Sequence, residues 1–196
     1  MIDYKMDVKE NNRREVEARL AGMGDYVRMD YLSSCLKKHL DFDTKKFVLS
    51  KLAEIYEFRG MFNDAAKLYK SMADINSTFQ GKIKDFVKCG ELFVKAGKHY
   101  EADDAFKNAI ANAKDGGKIQ IKIAEKEAYK KQAREYLTRA KNRNAMQTYE
   151  KILTLELTLE EKKEVQKSLF ELYKKLGRVR ESFLIERSMK GIKPSY

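Results

Sequence analysis

Proline is all but missing from this sequence: of 196 residues only Pro194 is one, and it lies close to the end. Its ring fixes φ and removes an amide donor, so an interior free of it points to helix throughout. Cysteine is nearly as scarce. Cys35 and Cys89 stand far apart, which excludes a disulfide framework and a CxxC motif. No stretch approaches the roughly 18 uncharged apolar residues of a membrane span. The opening MIDYKMDVKENNRREVEARL is charged along its length and lacks the apolar run of a secretion signal. These absences lead to the expectation of a helical protein without membrane insertion, in a reducing, cytoplasmic setting.

Catalytic signatures are missing too. There is no GxxxxGK[ST] phosphate loop, no GxGxxG, no HExxH and no GxSxG. The paired carboxylates Asp103 and Asp104, or Glu160 and Glu161, are neighbours in sequence and point in different directions on a helix. The triplet Asn76-Ser77-Thr78 fits a glycosylation acceptor in form, but without a secretion signal it reads as helix-end chemistry.

What is present is a globular composition, 43% apolar and 36% charged, written in a repeated grammar. AEIYEFRGMFNDAAKLYKSM, from Ala53 to Met72, and GELFVKAGKHYEADDAFKNA, from Gly90 to Ala109, share one order of residues. A small residue is followed by an aromatic, a glycine, an alanine and a second aromatic at matching intervals. A third copy surrounds Ala140, with Ala133, Tyr136, Ala145 and Tyr149. A fourth surrounds Gly177, with Phe170, Tyr173, Ser182 and Met189, and a weak one surrounds Gly24. These turn positions are spaced 36, 37, 43 and 37 residues apart, a period that marks a helical repeat array.

The grammar has a physical basis. Leu49, Leu52, Ala53 and Tyr56 share one helix face, and Ala65, Leu68, Tyr69 and Met72 share another. The glycine between them permits a left-handed reversal, and the small residues let the two helices approach. One hairpin cannot cover its apolar faces alone, so hairpins stack. The repeating aromatics, Tyr56, Phe93, Tyr136 and Tyr173 at one position and Tyr69, Phe106 and Tyr149 at the other, are therefore expected in the core. Cys89 falls at a buried position of this pattern and His99 just beyond a turn. For that reason Cys35, His39, Cys89 and His99 are not expected to form a metal site, and no cofactor is expected.

These residues resemble the tetratricopeptide repeat, over about residues 45–190. The resemblance departs from the family in its longer period and in lacking the proline that often closes a repeat. Those departures, with the phrase CGELFVKAGKHYEADDAFKNAI, are similar to the SNAP-type vesicle-fusion adaptors of the same superfamily. The implied fold is all-α: a right-handed α-α superhelix of about five stacked antiparallel hairpins in a single domain over residues 1–196. The hairpins are expected near residues 10–40, 45–76, 82–114, 118–157 and 160–190. Asp41-Phe42-Asp43-Thr44 offers N-caps for one helix, and Thr158-Leu159-Glu160-Glu161 is a capping box for another. Asp115-Gly116-Gly117 is the clearest break, and IQIKI (119–123) after it is expected as a helix start or loop.

Charge is lopsided within a net +11. Residues 1–110 hold 20 Lys and Arg against 18 Asp and Glu, whereas residues 111–196 hold 21 against 12. Lys118, Lys122, Lys126, Lys130 and Arg134 recur every four residues, a stripe that winds slowly round a helix. Lys130, Lys131 and Arg134 are placed away from the core face of Tyr129, Ala133 and Tyr136. In the resembling fold such first-helix positions line an inner surface, and the next repeat offers Lys167, Glu171, Lys174 and Lys175 there. Earlier repeats offer Glu54, Glu57, Lys88 and Glu91 instead. The lysine and asparagine clamp by which some tetratricopeptide proteins grip an acidic chaperone C-terminus is missing, since Ser50, Glu54, Val87 and Glu91 occupy its positions.

The expected function is a non-catalytic adaptor that holds an acidic peptide or helix of another protein. Its candidate contacts are Lys130, Lys131, Arg134, Lys167, Lys174 and Lys175. An array of this kind also accommodates a homodimer through a terminal hairpin. The alternative is a basic RNA- or ribosome-associated factor, for which the pI near 9.4 speaks. The repeating aromatics, committed to the core, are not available as a stacking platform for it.

Overall fold

The structure, a computed structural model, describes residues 8–191, so Pro194 and the first seven residues of the charged opening lie outside it. Ten helices follow one another and no strand occurs among the described residues. None of these helices is long and apolar enough to cross a membrane. The chain divides into two compact units, residues 1–121 and 122–196.

The first unit holds α1 (Arg13–Leu20), α2 (Asp25–Cys35), α3 (Phe42–Phe58), α4 (Phe62–Ile75), α5 (Phe79–Lys95) and α6 (His99–Ala111). Helices α3 to α6 pack in sequence order, each on the next, as stacked hairpins do. The turns explain the grammar. Gly60 and Gly97 both have φ +72°. In each turn the next amide reaches back five residues, Met61 N to Tyr56 O at 2.8 Å and Lys98 N to Phe93 O at 2.9 Å. This is the Schellman closure, and its acceptor is the repeat aromatic itself. Glycine is required there because a Cβ resists the left-handed region. Gly90 is required for a different reason: a Cβ on it would lie 2.8 Å from the ring of Phe106 on α6. In this copy the small residue that opens the motif thus seats the aromatic that closes it.

The weak copy near Gly24 is built differently from the others. Gly22, not Gly24, takes the left-handed conformation, with φ +80°, and Gly24 is the extended N-cap of α2. Helix α1 packs on α3. Val16, Leu20, Tyr31, Leu32, Cys35, Phe47 and Val48 share one core. Between hairpins, polar caps take over. Asp41 accepts the Thr44 amide at the start of α3, and Thr78 accepts the Gly81 amide at the start of α5. Asn76, at the end of α4, is buried and donates to Asp85 of α5 at 3.0 Å while accepting from the Thr78 amide and hydroxyl.

α7 (Asp115–Thr138) starts at the Asp-Gly-Gly break, and IQIKI lies inside it as helix. In the second unit, the remainder of α7 is followed by α8 (Asn142–Ile152), α9 (Leu159–Lys175) and α10 (Val179–Met189). Ala140 occupies the glycine position with φ 54°, the one non-glycine residue with positive φ among those described. Its closure is the same: Lys141 N to Tyr136 O at 2.8 Å, matched by Arg178 N to Tyr173 O at 2.8 Å after Gly177. Thr158 and Glu161 form the expected capping box. Tyr129, Ala133, Ala145, Met146, Tyr149, Val165, Leu169 and Leu172 are buried. Phe93, Phe106, Tyr149 and Tyr173 are buried, and Tyr56, Tyr69 and Tyr136 are half-buried, so no repeat aromatic is left on the surface.

Candidate functional site

The basic stripe of α7 mostly ends in ion pairs. Lys118 meets Asp115 of its own helix at 3.0 Å, and Lys122 meets Glu156, in the α8–α9 connection, at 2.6 Å. Lys126 and Lys130 both reach Glu161 in the first turn of α9, at 3.0 and 2.9 Å. Glu161 also accepts the Thr158 amide, so one carboxylate closes the capping box and anchors two ammonium groups. Hydrogen bonds from Lys130, from the Thr158 amide and from Lys126 pull the Glu161 carboxyl down to about 2. On Lys130, burial opposes the charge but Glu161 outweighs it, and its ammonium is held above the usual lysine range. The Lys130 side chain is only 17% exposed. Most of the stripe therefore fastens α7 to the segment that opens α9.

Arg134 is the exception in the stripe. It is exposed, and no carboxylate among the described residues pairs with it. It lies one turn before Leu137 on the same face of α7. Leu137 is 39% exposed and forms one wall of a groove of about 590 Å³. The other walls are Asn142 at the start of α8 and Lys167, Ser168, Glu171, Leu172, Lys174 and Lys175 of α9. The spacing of α9 explains its side of the groove. Leu169, Leu172 and Tyr173 face the core, while Lys167, Glu171, Lys174 and Lys175 are exposed at three- and four-residue intervals on the opposite side. Lys174 stands over its own Phe170 ring, 5.0 Å from the centroid.

Of the six candidate contacts, then, Lys167, Lys174 and Lys175 come together in one groove. Arg134 lies a turn along the same helix face. Lys131 is exposed on a different side of α7 and does not line the groove, and Lys130 is held by Glu161. The apolar members, Leu137 and Leu172, escaped the sequence reading. The position directly after the repeat aromatic carries Glu57, Val94, Leu137 and Lys174 in the four copies, so the sequence pattern does not mark Leu137 as exposed.

The inner positions of the first unit behave otherwise. Lys88 of α5 pairs with Glu57 of α3 at 2.8 Å, and Lys51 pairs with Glu54 at 2.9 Å. A cavity of about 330 Å³ beside α1 and α3 carries Glu17 and Glu54 against Arg28 and Lys51, an even balance. Cys35 and Cys89 are buried free thiols, and burial raises both above the usual thiol range, Cys89 to about 12. No cluster of three His, Cys, Asp or Glu side chains suited to a metal occurs among the described residues.

Residues 48–82, which run from the first turns of α3 through α4 into α5, match the family model of the tetratricopeptide repeat. No curated protein and no solved structure matches the chain, and the likeness to SNAP-type adaptors gains no support. The matched segment contains the Gly60 turn and its aromatic closure, and the same closure recurs at Gly97, Ala140 and Gly177 in an all-helical chain. The chain is an all-helical repeat protein, and its residues 48–82 are similar to the tetratricopeptide repeat.

Proposed function

We propose that the chain is a non-catalytic protein-interaction scaffold whose second unit holds an acidic peptide segment in the groove of α7, α8 and α9. One observation carries this reading. Three lysines, 167, 174 and 175, surround an apolar floor of Leu137 and Leu172 with one carboxylate, Glu171, among them. That arrangement leaves a surplus of two positive charges beside surface that gains from losing water. Side chains of a peptide carrying glutamate or aspartate next to leucine or phenylalanine match both features. The volume admits a few side chains rather than a folded domain. Because most lysines of α7 are consumed by Glu156 and Glu161, the charge available to a ligand is concentrated in α9 and Arg134.

The test uses a fluorescein-labelled peptide of alternating glutamate and leucine, titrated with the full chain while anisotropy is read. Arg134→Glu, Lys167→Glu and Lys175→Glu combined are expected to weaken binding at least ten-fold with helicity unchanged. Lys130 is left intact, because replacing it would strand Glu161. Equal affinity of the variant and the parent chain would sink the proposal. Competition with single-stranded oligo-uridine distinguishes the nucleic-acid reading. An RNA that displaces the peptide, and whose own affinity falls steeply with salt, would replace this proposal.

A further inference from the structure

The last turns of α7 and the turn into α8 carry a second charged surface. Residues 131–143 hold five cations, Lys131, Arg134, Arg139, Lys141 and Arg143, against one acid, Glu135. All five are exposed, and no carboxylate among the described residues pairs with any of them. Other turns neutralise their charge. Arg59, before Gly60, meets Asp25 at 3.5 Å, and Arg178, after Gly177, meets Glu181 at 2.8 Å. Four residues past the turn position, the copies at Gly60, Gly97 and Gly177 place an acid, Asp64, Glu101 and Glu181, where this copy has Asn144.

What surrounds these cations decides what fits. Lys131, Arg134 and Thr138, spaced by three and four, share the outward sector of α7 and lead into the turn. From 138 to 144 the chain reads TRAKNRN, with no aromatic and no apolar side chain larger than that of Ala140. A protein partner or a bilayer takes its firm hold from apolar contact, which this stretch does not offer. A chain of phosphates asks for cations, hydroxyls and amides, which make up the rest of it. With no exposed aromatic on which bases could stack, a duplex fits better than a single strand. Thr138 separates RNA from DNA. Its hydroxyl donates to Glu135 O at 2.9 Å, so toward a ligand it is left to accept. Phosphate oxygens have no proton to give it, whereas a 2′-hydroxyl does.

We propose that this surface binds double-stranded RNA through its backbone, without reading its sequence. The five cations would meet phosphates, and Thr138, Asn142 and Asn144 would meet 2′-hydroxyls along the minor groove. The surface goes beyond the peptide groove and shares only Asn142 with its walls.

The probe is a fluorescein-labelled RNA duplex of mixed sequence, about 16 base pairs long, titrated with the full chain while anisotropy is read. Salt is varied between about 50 and 200 mM. Saturable binding is expected, with an affinity that falls as a power of the salt concentration. Arg139→Gln, Lys141→Gln and Arg143→Gln combined are expected to weaken it at least ten-fold and to lower the salt exponent by about two to three. Arg139→Lys with Arg143→Lys keeps the charge and is expected to stay within about three-fold, which separates charge from misfolding. A DNA duplex of the same sequence is expected to bind at least five-fold more weakly, and Thr138→Val to narrow that difference. The triple variant is expected to hold the glutamate–leucine peptide within two-fold, so the groove and the turn fail or stand independently. No binding, an unchanged affinity or salt exponent in the triple variant, or DNA bound as tightly as RNA overturns the proposal. It is also overturned if polyglutamate displaces the duplex at equal charge concentration, or if phosphatidylserine vesicles sediment the parent chain but not the triple variant.

Discussion

Replacing Gly90 by alanine sets two known effects against each other. Gly90 lies in the interior of α5, where alanine is favoured over glycine by about 1 kcal/mol of helix propensity. If the position were open, the variant would be more stable. The structure says otherwise. The added Cβ would stand 2.8 Å from Cε2 and Cζ of Phe106 and 3.0 Å from Cδ2. Carbon atoms in contact prefer about 3.5–4.0 Å, so the ring edge or the helix must move by roughly 0.7–1.2 Å. Phe106 is 1% exposed, and its surroundings allow it no free rotamer. Overpacking of this kind costs about 1–3 kcal/mol, which exceeds the propensity gain over most of that range. The expected net effect is a destabilisation of about 1 kcal/mol.

Urea titration followed by far-UV circular dichroism would read it as a lower midpoint, by about 0.3–1 M for slopes of 1–3 kcal/mol/M. Phe106→Leu alone leaves a cavity and is destabilising, but it makes room for the methyl group. The double variant should therefore lose at least about 0.5 kcal/mol less than the sum of the singles. A Gly90→Ala chain that is more stable than the parent, with additive behaviour of Phe106→Leu, would refute the idea that this residue is small in order to seat that ring.

Ala140→Gly is expected to stabilise the chain by up to about 1 kcal/mol, read as a higher urea midpoint, because it relieves a left-handed alanine in a turn where the other three copies have glycine. Gly60→Ala, by contrast, should cost about 1 kcal/mol although nothing crowds its Cβ, since the penalty there is conformational. Asn76→Ala removes the donor to buried Asp85 and should cost about 2 kcal/mol by the same titration. Gly81→Ala should act on that same pair, because its Cβ would collide with the Asn76 side chain. Glu161→Gln should cost about 1–2 kcal/mol at neutral pH. The parent's carboxyl is depressed to about 2, so its contribution is present above the ordinary carboxylate range and is lost as pH falls toward 2, where the two chains should converge.

The hairpin architecture was legible because the turn is a local event with a chemical signature. A glycine after an aromatic-bearing face, repeated at a near-constant interval, is enough to specify where the chain reverses. The structure adds that the aromatic's own carbonyl closes the turn. The alanine at 140 could be read as a turn only from its place in the series, since alone it has no preference for positive φ. The region near Gly24 misled for the converse reason. Two glycines lie within three residues, Gly22 and Gly24, and spacing alone does not say which of them is left-handed and which is the N-cap. The Asp-Gly-Gly break reads as a loop by composition, yet Gly116 and Gly117 lie in the first turn of α7, where a glycine costs less than in the interior.

Surface charge was the least legible property, because a residue count registers cations but not their partners. Lys122, Lys126, Lys130 and Arg134 look equivalent along the sequence, separated by four residues each. The carboxylates that meet the three lysines, Glu156 and Glu161, lie 31 to 35 residues away and arrive only when the start of α9 comes beside α7. Pairing of that kind converts a basic stripe into an internal fastening and moves the available charge elsewhere. It moves it to Arg134 and to the α9 lysines, whose own neighbours at three and four residues include only Glu164 and Glu171 as acids. A partner drawn to the basic second half should thus respond strongly to Lys167 and Lys175 and hardly to Lys122. The Lys122→Gln chain serves as the measure: if it loses as much affinity for the glutamate–leucine peptide as Lys167→Gln does, net charge and not the groove governs binding.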